Sequence, residues 1–397
     1  VTGKERVRTA MEGGHTDMPP FSLYVSWPEY GWRLLGRPVW EVVLGQTDGI
    51  EAWDRVLSRH PTDFAPGPVT AVGSGWLQGK KLERQDRESA YFRCQETGRR
   101  WRFSLASHVL LEVDDVGWTI DHPRHPGDSR ATAEPPQTTA EAEAWFGRHH
   151  EGSTGAPPGP PEEDRAVRQW GDRYFMVTCT VAPFVAVAYT FGFEPSLVLL
   201  AERPRVFARL AELYLERFRA HYEWAARAGY DGGHMVDSWA SADIISPALY
   251  RDWVAPLHRE SARMIQSTGL KADLYSPGYC MPLLEHMRRQ GWDAIRIDDR
   301  CRGGEQDIGV ARRALGPDQC LFGNLSSYSL LGGDWNEIVA RVRYQHEAAG
   351  RDGRLIVSNG SGICDQTDPD IIDRWIACAR DLSAAGMGGR QTQAEDL

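Results

Sequence analysis

Apolar and polar positions along the chain follow two rhythms. After Trp170, short apolar runs alternate with longer stretches whose apolar residues recur every three or four positions. The runs Phe175 to Val181, Tyr230 to Val236, Leu270 to Leu274, Ala294 to Ile297, Cys320 to Phe322 and Leu355 to Val357 read as strands. Helices are expected between them, near 203–228, 248–267, 281–290, 308–315, 335–349 and 368–384. In the first of these, Phe207, Leu210, Ala211, Tyr214 and Phe218 share one apolar face. Strands alternating with helices imply a parallel sheet. Six such units, with room for two more upstream, predict an α/β chain folded as a TIM-type (β/α)8 barrel; an open doubly wound sheet is the alternative.

Upstream the rhythm differs. Residues 4–12 read as a short helix stopped by Gly13-Gly14, and Pro19-Pro20 forces an extended path into a strand. Residues 49–58 look helical. From Val69 to Asp121 short alternating runs take over, with a hairpin signal where Ala90 to Cys94 and Arg100 to Phe103 flank Glu96-Thr97-Gly98-Arg99. Around a helical Ala140 to Arg148, residues 123–164 are rich in Pro, Gly, Ser and Thr. The expected organisation is therefore an N-terminal part of the barrel (1–68), a β-rich insertion (69–122), a flexible connector or lid (123–169) and the remainder of the barrel (170–397).

Composition narrows the function. At 397 residues, with 41% apolar and 25% charged residues, the chain is an ordinary globular one. A net charge of −10 without a basic stripe disfavours nucleic acid and anionic membranes as partners and favours small molecules. Seven dispersed cysteines without a C-x-x-C pair read as thiols rather than a disulfide frame. No apolar run approaches the roughly 18 residues of a membrane span, and Val1 to Arg6 has no signal core behind it, so a cytoplasmic location is expected. Neither G-x-G-x-x-G after a strand nor a P-loop is present.

In a parallel barrel the chemistry gathers at the C-terminal ends of the strands. That places Asp237, Tyr275, Asp298 and His234 as catalytic candidates, and Ser238, Trp239, Asn324, Asn359, Ser361 and Tyr24 as substrate-binding ones. Each has a plainer reading: Asp237 as a cap, His234 as a core histidine, Asn324 as a turn residue, Asn359 to Gly362 as a tight loop. Of Asp298 and Asp299, at most one faces the site, because consecutive strand residues point to opposite faces.

Gly229 to Trp239 followed by Ile245 to Pro256 resembles the uroporphyrinogen decarboxylase superfamily, which also holds zinc methyltransferases that move methyl groups from corrinoid proteins to thiols. Lys4 to Pro20, Gly323-Asn324-Leu325-Ser326 and Ile356 to Gly362 are similar as well. The resemblance implies a TIM-type barrel with a deep cleft and makes a homodimer reasonable. Two departures stand out. The three zinc-ligand slots of the methyltransferases are held by Tyr275, Pro277 and Ser361, so no metal is expected, although Cys280 and Cys364 lie three residues beyond two of those slots. The arginine-rich loop that holds porphyrinogen side arms is replaced by Tyr24 to Tyr30. The expected function is a cofactor-free lyase that decarboxylates a small aromatic or heterocyclic acid. The alternatives are a zinc-independent methyl or one-carbon transferase working with a corrinoid protein or a folate, and a ligand-binding barrel without chemistry. Fifteen tryptophans suggest a planar aromatic substrate if two of them line the mouth.

Overall fold

The computed structural model describes residues 1–25, 30–45, 47–67, 71–72, 75–107, 109–114, 134–150, 164–301 and 304–391. Residues 115–122 of the expected insertion and 123–133 and 151–163 of the expected connector fall outside them, as does Trp27. Eight parallel strands form one sheet: β1 (Phe21–Ser22), β2 (Phe64–Gly67), β3 (Phe175–Val181), β4 (Gly232–Val236), β5 (Lys271–Ser276), β6 (Ala294–Ile297), β7 (Cys320–Phe322) and β8 (Leu355–Ser358). Their order runs β1-β8-β7-β6-β5-β4-β3-β2, the cyclic order of a TIM-type barrel, and excludes the open doubly wound alternative.

The seam between β1 and β2 is closed by two side chains and one backbone bond instead of a ladder. Asp63 Oδ2 accepts from the Phe21 N–H at 2.7 Å, Thr62 Oγ1 donates to the Phe21 carbonyl at 3.0 Å, and the Asp63 N–H donates to that same carbonyl at 2.8 Å. These groups satisfy backbone polar atoms that would otherwise stand unpaired at a sheet edge.

Alternation along each strand separates inside from outside. On β3, Phe175, Val177 and Cys179 point into the barrel, while Thr178 and Thr180 bond His221 and Tyr222 of the outer helix Pro204–Ala228. Helix α1 (Gly3–Glu12), started by a Thr2/Glu5 capping box, plugs the lower end with Val7, Ala10 and Met11 against Phe64, Phe175, Ala294, Cys320, Phe322 and Ile356. With that end sealed by apolar side chains, the barrel opens toward the strand C-termini.

The expected helix over 248–267 is continuous but contains a π-turn at Tyr250–Val254, where the Ala255 N–H reaches the Tyr250 carbonyl. Pro256, with no N–H, cannot complete the ordinary ladder there. The four antiparallel strands Lys80–Gln85, Ser89–Cys94, Arg100–Ser104 and Leu110–Val113 form a separate sheet, in which Trp40 and Trp76 pack on Phe92. Trp76 also meets Trp101, so these tryptophans serve the packing of that sheet. Among the described residues no single helix is long and apolar enough to cross a membrane.

Candidate active site

The inner face above the apolar floor is polar. His234 of β4 and Asp273 of β5 are directly opposite in the ladder, and His234 Nδ1 bonds the Asp273 carboxylate. One step nearer the mouth, Tyr275 donates to Asp298 Oδ1 at 3.1 Å. Tyr24 leans on both aromatic neighbours, with ring centroids 5.0 Å from Tyr275 and 6.2 Å from His234. Beneath them lies Arg296, fully enclosed. Its Nη1 donates to Ser358 Oγ (2.6 Å) and to the Asn359 carbonyl (3.2 Å), and its Nη2 donates to Ser22 Oγ (2.9 Å). The rings of Tyr24 and Phe322 cover its guanidinium at 5.0 and 4.1 Å.

Burial sets the electrostatics. Desolvation pushes the Asp298 carboxyl up to about 7; the like charge of Asp299 adds to this, and the Tyr275 hydroxyl and Arg296 oppose it. Desolvation raises Tyr24 to about 12 and holds Tyr275 well above the ordinary tyrosine range. It presses Arg296 downward, against the pull of Asp273. Near neutral pH Asp298 is thus able to hold its proton, beside a phenol that stays protonated.

Of the ten candidates read from the sequence, Tyr24, His234, Tyr275 and Asp298 come together here. The others do not. Asp237 follows inward-facing Val236 and so turns outward: one oxygen caps the Trp239 and Ala240 N–H groups (3.1 and 2.8 Å), and the other accepts from His258 Nε2 at 2.8 Å. Its carboxylate belongs to a buried chain through His258, Tyr250, Gln290 and Trp292. Trp239 packs on Tyr189 and Phe193 in the loop region after β4, with Ser238 half-buried beside it. Asn324 holds the carbonyls of Gln306 (2.8 Å) and Asp298 (3.4 Å). Asn359 grips the Tyr24 backbone at both its N–H (2.9 Å) and its carbonyl (2.8 Å). Ser361 joins Asp299 in lining a neighbouring cleft of about 510 Å³. Asp298, then, is the member of the acidic pair that meets Tyr275.

Arg296, Cys179 and Asp273 were not among the candidates. Period-two alternation carries the signal that finds two of them: an inward Asp298 requires an inward Arg296, and an inward Tyr275 an inward Asp273.

The zinc implied by the resemblance has no matching donors. Tyr275 is committed to Asp298, the Ser361 hydroxyl donates to Ser327 at 3.3 Å, and Pro277 offers nothing. Cys280 is buried, and its thiol donates to Gln306 Oε1 at 3.0 Å. Among the described residues no three His, Cys, Asp or Glu side chains converge as a metal site.

A family model described as Uroporphyrinogen decarboxylase (URO-D) matches residues 162–382, more than half of the chain. The chain belongs to the uroporphyrinogen decarboxylase family. The uroporphyrinogen decarboxylase of Arthrobacter sp. (strain FB24) is 28% identical over 213 residues, 51% of this chain and 58% of the relative. That of Salinispora tropica is 30% identical over 210 residues, 51% of this chain and 54% of the relative. Against both, the match spans little more than half the relative's length. A methyltransferase from Methanosarcina mazei shares the fold over 96% of this chain and 98% of its own, with a TM-score of 0.59 and 18% identity.

Proposed function

We propose that this member of the family is a lyase that decarboxylates a small aromatic or heterocyclic acid by acid catalysis in the barrel. The reading rests on one observation: Asp298 is buried at the mouth, held by the Tyr275 hydroxyl, and has its pKa raised to about 7. A carboxyl tuned to the working pH is suited to giving up a proton in the transition state. When the C–CO2 bond breaks, its electron pair stays on the ring carbon, and Asp298 delivers its proton there. Tyr275 then donates to the carboxylate left behind. Arg296 offers a fixed positive charge for the electron density that builds on the ring, in an interior where solvent screens it little. The Tyr24 and Tyr275 rings supply walls for a planar substrate.

The test is CO2 release from a panel of aromatic and heterocyclic carboxylates, uroporphyrinogen included, with deuterium uptake from heavy water at the carbon that loses CO2. Asp298→Asn is expected to lower turnover about 100-fold or more, the usual range for a lost general acid. The donor is the protonated form, so the rate should fall as pH rises through about 7. A fully active Asp298→Asn enzyme, or methyl transfer in place of CO2 release, would replace this reading.

A further inference from the structure

The decarboxylation reading leaves one group inside the barrel without a task. Cys179 lies on the inner face of β3, directly opposite His234 of β4, which lies directly opposite Asp273 of β5. Three adjacent strands thus present a thiol, an imidazole and a carboxylate side by side at one level. Asp273 engages Nδ1 of the imidazole. The opposite nitrogen, Nε2, is buried and has no hydrogen-bond partner among the described residues, although the His234 side chain is only 10% exposed. A buried polar atom left unpaired in this way calls for a missing partner. Cys179, by contrast, is exposed, whereas His234 and Asp273 beside it are buried. Sγ has a weak contact of 3.8 Å to the Thr180 carbonyl.

We propose that Cys179 is a nucleophilic thiol that adds to conjugated carbonyl compounds entering the barrel, with His234 as the base that takes its proton and Asp273 as the positioning residue that orients His234. The bond changes balance. The Sγ–H proton passes to His234 Nε2, the Sγ–C bond forms at the far carbon of the C=C–C=O unit, and the π pair moves to the carbonyl oxygen. The resulting enolate takes a proton at its α carbon from Asp298, leaving a thioether, an imidazolium and a carboxylate. Such an acceptor needs a cation and an acid at the end remote from the sulfur. Asp298, one residue beyond β6, supplies the acid, and Arg296, enclosed beneath the Tyr24 ring, supplies the charge through space; both lie on the far side of β5 from His234. Desolvation and Asp273 keep the resting thiol neutral, which is why a base is needed. The inference does not depend on decarboxylation, because the adduct is read on the chain itself.

The experiment treats the full chain with N-ethylmaleimide at pH 7 and follows each cysteine by peptide mass spectrometry. Cys179 should be alkylated in the native protein, at a rate that falls at least tenfold in His234→Gln and in Asp273→Asn, while Cys94 in the insertion sheet reacts at an unchanged rate in all three proteins. Iodoacetamide reacts by displacement and needs no acid at a far end, so Asp298→Asn should slow the maleimide more than the iodoacetamide. Equal slowing would overturn the assigned ligand class. Cys179 still free in the native chain after Cys94 has reacted fully would overturn the proposal, and so would equal Cys179 rates with and without His234 or Asp273. The native-chain comparison decides even if a variant fails to fold.

Discussion

Asn359 shows how one side chain can matter to a site it does not line. Its amide is fully buried, accepts from the Tyr24 N–H, and donates to the carbonyls of Tyr24 and Ser361. Tyr24 lies beyond the end of the two-residue strand β1, so this grip stands in for the missing ladder and sets the ring against Tyr275 and His234. Asn359→Ala should cost about 2–3 kcal/mol, the usual penalty for leaving several buried polar groups unpaired, and thermal unfolding reads it directly. Activity should fall with it, and a variant with native melting temperature and rate would show that Tyr24 is held otherwise. The sequence marked Asn359 as a substrate ligand because it follows a barrel strand; its actual partner, Tyr24, is 335 positions away. The same limit applies to Asp237, whose carboxylate bonds Trp239, Ala240 and His258. Position after a strand end does not fix the face, whereas counting in twos from an inward Val236 turns Asp237 outward.

At the scale of elements, the barrel depends on how its first and last paired strands meet. Asp63 takes the Phe21 N–H and is paired with Arg6 (3.3 Å) and Arg380 (3.7 Å), which ties β1, α1 and the C-terminal helix Pro369–Gln391 to one buried carboxylate. Asp63→Ala leaves a buried N–H without an acceptor and the Arg380 guanidinium without its counter-charge, while Arg6 keeps its two bonds to Asp17. A loss of about 2–4 kcal/mol is expected in denaturant unfolding. A loss below 1 kcal/mol would mean that the Thr62 bonds and the backbone bond from the Asp63 N–H to Phe21 suffice to close the seam. The alternation of strands and helices after Trp170 was legible: Phe175–Val181, Ala294–Ile297 and Cys320–Phe322 begin and end where their apolar runs do. β2 was not legible, because Phe64-Ala65-Pro66-Gly67 reads as a turn. Pro66 is tolerated there because β2 ends the hydrogen-bonded sheet, with a ladder partner on one side only.

For the molecule as a whole, the polar barrel interior is a burden on stability carried by the large apolar layer between strands and helices. Asp298 makes the point testable. Its pKa is near 7 when folded, whereas an unfolded aspartate titrates near about 4. Between those values the folded chain binds more protons at this group than the unfolded chain does, so its contribution to unfolding free energy falls as pH rises. That contribution is complete below about pH 4 and lost as pH climbs through about 7. At pH 8 the native protein carries a carboxylate that its surroundings disfavour; at pH 5 the same group is neutral. Asp298→Asn removes the charge while preserving shape, and should therefore raise the melting temperature at pH 8 by a few degrees and change it far less at pH 5. Differential scanning calorimetry of both proteins at the two pH values reads the difference. A stabilised but inactive variant at pH 8 would tie the cost in stability to the acid that catalysis needs, as expected where an active site works against the fold. An identical shift at both pH values would mean that the substitution acts through packing, and that Asp298 titrates where an exposed aspartate does.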